Sequence, residues 1–185
     1  MSDKVFIRPD DLLRNSFQLA RRIYDSGYRP TAILVLWRGG TPVGIAVHEF
    51  LLVKGVASYH TVVKADSYTG IGTRRAPRIE NLDRVAAALD AASRVLVIDD
   101  IFDSGHTLAA VREALAPRAA EIRTATLYLR TGHREADRLP DYVLLETDRW
   151  IVFPHELEGL TPDELRQKDP EIADMVLGTH AQAAR

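Results

Sequence analysis

Apolar positions along this chain follow two alternating rhythms. Over residues 9–26, Leu13, Phe17, Ala20 and Tyr24 fall three and four apart, with Pro9 at the start and Gly27 past the end, which predicts an amphipathic helix. Residues 31–37, Thr-Ala-Ile-Leu-Val-Leu-Trp, form a nearly unbroken apolar run, the pattern of a strand buried on both faces of a parallel sheet. Helical spacing returns over 42–54 at Val43, Ala46, Val47, Phe50 and Leu51, and a strand is predicted over 56–63. Residues 64–80 show neither rhythm and read as a long loop carrying Lys64, Arg74, Arg75 and Arg78. Beyond it come a helix over 82–89, a strand over 94–98 ending in Asp99-Asp100, a helix over 107–115, and strands over 124–129 and 142–145. The tail from Thr161 reads as helical, its Thr-Pro-Asp-Glu opening resembling a capped N-terminus. Strand alternating with helix predicts an α/β fold, a mainly parallel sheet flanked by helices.

Composition narrows the class. The 185 residues, 46% hydrophobic and 27% charged, suit a packed globular chain and exclude collagen, coiled coil and disorder. No repeat, low-complexity tract or linker divides it, so 1–185 is expected to form one domain. The absence of Cys excludes a disulfide scaffold, a thiolate metal site and a cysteine nucleophile. No apolar run approaches the roughly 20 residues that span a bilayer, and the charged opening is unlike a signal peptide. A cytoplasmic protein with no membrane partner is expected. The net charge of −2, with signs interspersed, offers no broad basic field, so no nucleic-acid partner is expected either.

The most unusual residues fall where a parallel sheet binds ligands, beyond the carboxyl ends of its strands. Asp99 and Asp100 close a strand and point to opposite sides of the pleat, a poor arrangement for sharing a proton but a good one for two hydroxyls of one sugar. Asp103-Ser104-Gly105-His106-Thr107 then leads into a helix, where free amides, the helix dipole and small hydroxyl residues favour a phosphate. The blander alternative is that Asp103 or Ser104 caps the helix while the Asp pair faces solvent.

The whole string, an apolar strand followed by Asp-Asp-Ile-Phe-Asp-Ser-Gly-His-Thr, resembles the signature of the type I phosphoribosyltransferases, and other positions extend the likeness over most of the chain. The resemblance implies that family's fold, with a small hood contributed by about 140–160 and the N-terminal segment. It implies 5-phosphoribosyl 1-diphosphate as substrate, its ribose hydroxyls on Asp99 and Asp100 and its 5-phosphate on Ser104, Gly105, His106 and Thr107. Mg²⁺ accompanies the diphosphate, with Asp99, Asp100 and Glu156 as the implied ligands. Trp37, Arg38 and Gly39 match the family's diphosphate loop, including a cis bond at Trp37–Arg38. Ser67 and Tyr68 match the Ser-Tyr pair of a loop that closes over the site.

Three positions bear on the acceptor. Asp103 stands where hypoxanthine, guanine and xanthine enzymes carry a carboxylate, implying a general base at N7 of a 6-oxopurine. Trp150 and Ile151 match the aromatic-aliphatic pair that stacks on the purine and meets its edge. Arg130 stands where those enzymes place a Lys that donates to O6, and Val152 where a bacterial xanthine-guanine enzyme has Glu; both depart from the pattern, and Arg is not a neutral replacement for Lys. The remaining His residues read as surface or core. The resulting expectation is a Mg²⁺-dependent 6-oxopurine phosphoribosyltransferase, a homo-oligomer (dimer or tetramer), acting in purine salvage. The competing class is a regulator that senses the ribosyl diphosphate with the same fold.

Overall fold

The computed structural model describes residues 4–66, 69–70, 73–74, 78–132 and 135–178. In chain order these form β1 (Lys4–Phe6), α1 (Pro9–Asp25), β2 (Ala32–Trp37), α2 (Gly40–Val53), β3 (Tyr59–Asp66), β4 (Thr69–Gly70), β5 (Thr73–Arg74) and β6 (Arg78–Glu80). There follow α3 (Leu82–Ala87), β7 (Arg94–Phe102), α4 (His106–Leu115), β8 (Glu121–Arg130), β9 (Tyr142–Thr147), β10 (Trp150–Val152), α5 (Pro162–Lys168) and α6 (Pro170–Leu177). Among the described residues no helix is long and apolar enough to cross a membrane.

Six strands make one sheet in the order β6-β3-β2-β7-β8-β9, parallel except for β6. The central strands are apolar on both faces because both are covered. Ile33, Val35, Leu96 and Ile98 join α1 and α2 in one core, and Leu34, Leu36, Val95 and Val97 join α3 and α4 in the other. The chain leaves β2 toward β3 and later leaves β7 toward β8, so the winding direction reverses between β2 and β7. Such a reversal opens a crevice at the strands' carboxyl ends. Pairing widens it: the β2–β7 ladder ends at Val35 and Ile98, whereas β7 stays paired to β8 as far as Phe102 and Leu129. The side of residues 99–102 facing β2 is therefore open.

Local expectations hold for most elements and shift at several. The buried stripe of α1 is Leu12, Ser16, Leu19, Ala20 and Ile23, while Leu13 and Phe17 face outward; Ser16 is tolerated inside because its hydroxyl donates to Leu12 O at 2.7 Å. β3 starts and ends about three residues later than predicted. β7 runs four residues past Ile98, placing Asp99 and Asp100 within a strand. The 64–80 stretch is not an irregular loop throughout: β6 pairs antiparallel with β3, and β4 pairs with β5. These strands are two or three residues long, too short for hydrophobic alternation to announce them. β1 and β10 form a separate parallel pair, and β9, within the stretch expected to form the hood, is the edge of the large sheet.

Candidate active site

Two adjoining clefts occupy the crevice and share Ile101 between them. One, of about 360 Å³, is lined by Arg38, Gly39, Asp100, His155 and Glu156; the other, of about 200 Å³, by Asp99, Asp103, Ser104, Gly105 and Thr107. The successive carboxylates of β7 thus serve different clefts, as the pleat requires. The Trp37–Arg38 peptide bond is cis, and Trp37 is half exposed at the crevice rim. Gly39 is required by close approach, since a Cβ there would lie 1.9 Å from Asp100 Oδ2.

This end of the sheet concentrates negative charge. Asp100 is buried, its Oδ1 accepting from Ile101 N at 2.8 Å, and its carboxyl is pushed up to about 6 by burial and then by the charge of Glu156. Asp99 is raised well above the ordinary value by burial and by Asp100. Among the described residues the basic group paired with Asp100 is His155, with Nε2 3.9 Å from Oδ2, and burial lowers the His155 pKa, favouring the neutral ring. Arg38 is turned toward Glu158, at 3.4 Å. Carboxylates left this weakly compensated are arranged for hydroxyl donors or a cation brought by a ligand.

The loop after β7 resolves the capping alternative. Gly105, at φ +86°, is itself the N-cap of α4 and no side chain caps the helix, so neither Asp103 nor Ser104 does. Gly105 is there for two reasons: the left-handed conformation, and Phe102 Cζ, which a Cβ would meet at 2.3 Å. The amides of the first turn of α4 are left for an anion. The loop is anchored from behind by Ser104 O, which accepts from Glu135 N and Ala136 N at 3.0 and 2.9 Å. His106, expected to help with phosphate, pairs Nε2 with Glu135 at 3.0 Å, a carboxylate carried to it by the same anchoring segment.

At the far end of the second cleft, Arg130 Nη1 lies 3.5 Å from Asp103 Oδ1 and its guanidinium sits 4.9 Å from the ring centroid of Trp150. Arg130 Nε is buried without a hydrogen-bond partner among the described residues. Trp150 is half exposed, while Ile151 turns its side chain into the core, leaving its backbone for a ligand. Three residues from three separate strand ends thus meet as a flat apolar surface, a donor-only group and a carboxylate. Ser67 and Tyr68 lie outside the described residues.

Sequence reasoning missed His155, read as surface or core. It stands in the larger cleft because its ring stacks on Phe153 at 5.7 Å and 12° between planes, and Phe153 is itself fixed edge-on against Tyr128. Glu156, whose alternative reading was a solvated surface residue, lies beside it in the same cleft, its Oε2 accepting from Phe153 N at 2.9 Å. Glu135, Ala136 and Glu158 also escaped notice; for His155 one signal was available, its place beside Glu156 just after a strand and a Pro.

A doubly wound sheet with an Asp pair between a Gly-bearing loop and an uncapped helix N-terminus is the architecture of the type I phosphoribosyltransferases, and the chain belongs to that family: residues 10–159 match the phosphoribosyl transferase domain. It is therefore read as an enzyme of that class. Its relatives include the hypoxanthine-guanine phosphoribosyltransferase of Lactococcus lactis, 25% identical over 142 residues that cover 76% of this chain and 74% of the relative. The crystal structure of a purine phosphoribosyltransferase from Pyrococcus horikoshii is 28% identical and superposes with a TM-score of 0.70, covering 86% of this chain and 98% of the other. The xanthine-guanine-hypoxanthine phosphoribosyltransferase of Helicobacter pylori shares the fold at 23% identity and a TM-score of 0.64, over 91% and 99% of the two chains.

Proposed function

We propose that this protein transfers the 5-phosphoribosyl group of 5-phosphoribosyl 1-diphosphate to N9 of a 6-oxopurine, hypoxanthine, guanine or xanthine, with Mg²⁺, in cytoplasmic purine salvage. The observation that carries the choice of acceptor is the meeting of Asp103, Arg130 and Trp150 at one end of the crevice. Guanidinium only donates, so it satisfies an oxo group at C6 and leaves an amino group there without an acceptor. The hypoxanthine-guanine enzyme named above supports the same choice, and the purine enzyme supports a purine acceptor.

In this reading Trp150 stacks on the base and Arg130 donates to O6. Asp103 takes the N7 proton while N9 forms a bond to the anomeric carbon and that carbon's bond to diphosphate breaks. Asp99 and Asp100 accept the ribose hydroxyls and face the positive charge that develops on the ring. The first-turn amides of α4, with Ser104 and Thr107, hold the 5-phosphate. Arg38 exchanges Glu158 for the leaving diphosphate. The described residues gather no cage of three or more metal ligands. Mg²⁺ commonly uses one or two carboxylates and takes its other ligands from phosphates and water, so Asp100 and Glu156 in one cleft fit it. When bound, Mg²⁺ would neutralise the departing diphosphate.

The test is to incubate the protein with 5-phosphoribosyl 1-diphosphate and Mg²⁺ against hypoxanthine, guanine, xanthine, adenine and orotate separately, detecting nucleotide. Turnover of the oxopurines and not of adenine or orotate is expected. Preferred turnover of adenine would refute the acceptor assignment, and binding of the ribosyl diphosphate without turnover of any base would favour the sensing role.

A further inference from the structure

The tail beyond residue 159 lies outside the span that matches the family, yet it reaches back to the larger cleft. At the end of α5, Lys168 Nζ donates to Phe153 O at 2.7 Å and to Glu156 O. Those two carbonyls bracket a tight turn, closed from inside by Glu156 N donating to Phe153 O at 3.0 Å. The turn presents His155 and Glu156 to the cleft that also holds Arg38 and Asp100.

The helix carrying Lys168 is held in place independently. Thr161 and Glu164 form a reciprocal capping box, Leu165 is buried, and Glu164 Oε1 pairs with Lys4 Nζ at 2.8 Å. Lys4 belongs to β1, whose partner β10 runs directly into the turn. The ammonium is thus delivered from a docked helix to two carbonyls of one turn, satisfying both at once.

We infer that Lys168 is a positioning residue for the diphosphate half of the site: it holds the 153–156 turn so that His155 and Glu156 face Arg38 and Asp100. This rests on the functional reading above, with the 5-phosphoribosyl 1-diphosphate seated across both clefts. Lys168 touches neither substrate nor reacting atoms. The purine end, on Trp150, Arg130 and Asp103, does not depend on it.

The experiment compares wild type with Lys168→Met, which keeps the stem and loses the donors, and Lys168→Arg, which keeps them. Calorimetry gives the affinity for 5-phosphoribosyl 1-diphosphate, steady-state kinetics give the two KM values, and hydrogen exchange reports residues 153–158. In Lys168→Met, affinity for the ribosyl diphosphate is expected to fall about tenfold, with its KM rising in step, from the loss of charge-assisted hydrogen bonds. The base KM stays within about twofold, exchange over 153–158 quickens, and Lys168→Arg recovers most of the loss. Should the Met variant not fold, Lys168→Gln, with a shorter neutral donor, is expected to give the same split at smaller amplitude. Unchanged affinity, an equal rise in both KM values, or no recovery with Arg would overturn the inference. Wild type that binds no ribosyl diphosphate would overturn the functional reading itself and this inference with it, a result distinct from a wild type that binds and a Met variant that binds equally well.

Discussion

Replacing Asp100 with Asn should make the free protein more stable and the enzyme worse at its task. The carboxyl is buried and raised from 3.8 to about 6, so at neutral pH the folded state carries a charge that it would rather not hold. Below 3.8 both folded and unfolded states are protonated and the contribution vanishes. As pH rises past 3.8 the unfolded chain releases its proton while the folded one retains it, so stability falls, levelling off above about 6. At about 1.36 kcal/mol per pH unit the cost is roughly 3 kcal/mol at pH 7 and about half that at pH 5. Asn retains the shape beside Gly39 and an oxygen for Ile101 N. With about 2–4 °C per kcal/mol for a domain of this size, Tm should rise by as much as about 6–12 °C at pH 7 and about half as much at pH 5. Thermal unfolding of the two proteins across pH 5–8 measures this. Calorimetry on the same samples should show weaker binding of the ribosyl diphosphate, because a ribose hydroxyl loses a charged acceptor. A Tm gain independent of pH, or a loss of stability at every pH, would refute the electrostatic argument.

Asp103→Asn should lower turnover by roughly 10²–10⁴ with little change in ribosyl diphosphate affinity, since the carboxylate is not the helix cap and its loss removes the base for N7 while the Asn oxygen can still face Arg130; near-normal turnover would end that role. Arg130→Met should reduce the preference for hypoxanthine over adenine, read as the ratio of kcat/KM values, by about 10-fold or more, as the O6 donor disappears. An unchanged ratio would show that Arg130 does not read position 6. Gly105→Ala should cost about 1–2 kcal/mol for the left-handed backbone alone, and more through the collision with Phe102, and should weaken phosphate binding along with stability. Thermal unfolding with and without inorganic phosphate checks both effects.

Where sequence and structure agree, the information was local. Residues 31–37 and 94–98 read as strands covered on both faces, because a nearly unbroken apolar run leaves no face for water and these runs are too short for a helix. The geometry of the Asp99-to-Thr107 string was legible because a strand, a Gly turn and a helix start are neighbours in the chain, so the lining of the smaller cleft is largely written in consecutive residues. The tertiary structure decided what depends on partners distant in sequence. The face of α1 that is buried was set by what it packs against, and the stripe fell on Leu12, Leu19 and Ile23 rather than one position later. His155 became a cleft residue through Phe153 and Tyr128, and Lys168 came to hold that turn through a helix docked by Lys4 at the other end of the chain. Periodicity reports whether a residue is buried on its own element. It carries no record of which other element will cover it, and for the wall of the larger cleft that is the fact that matters.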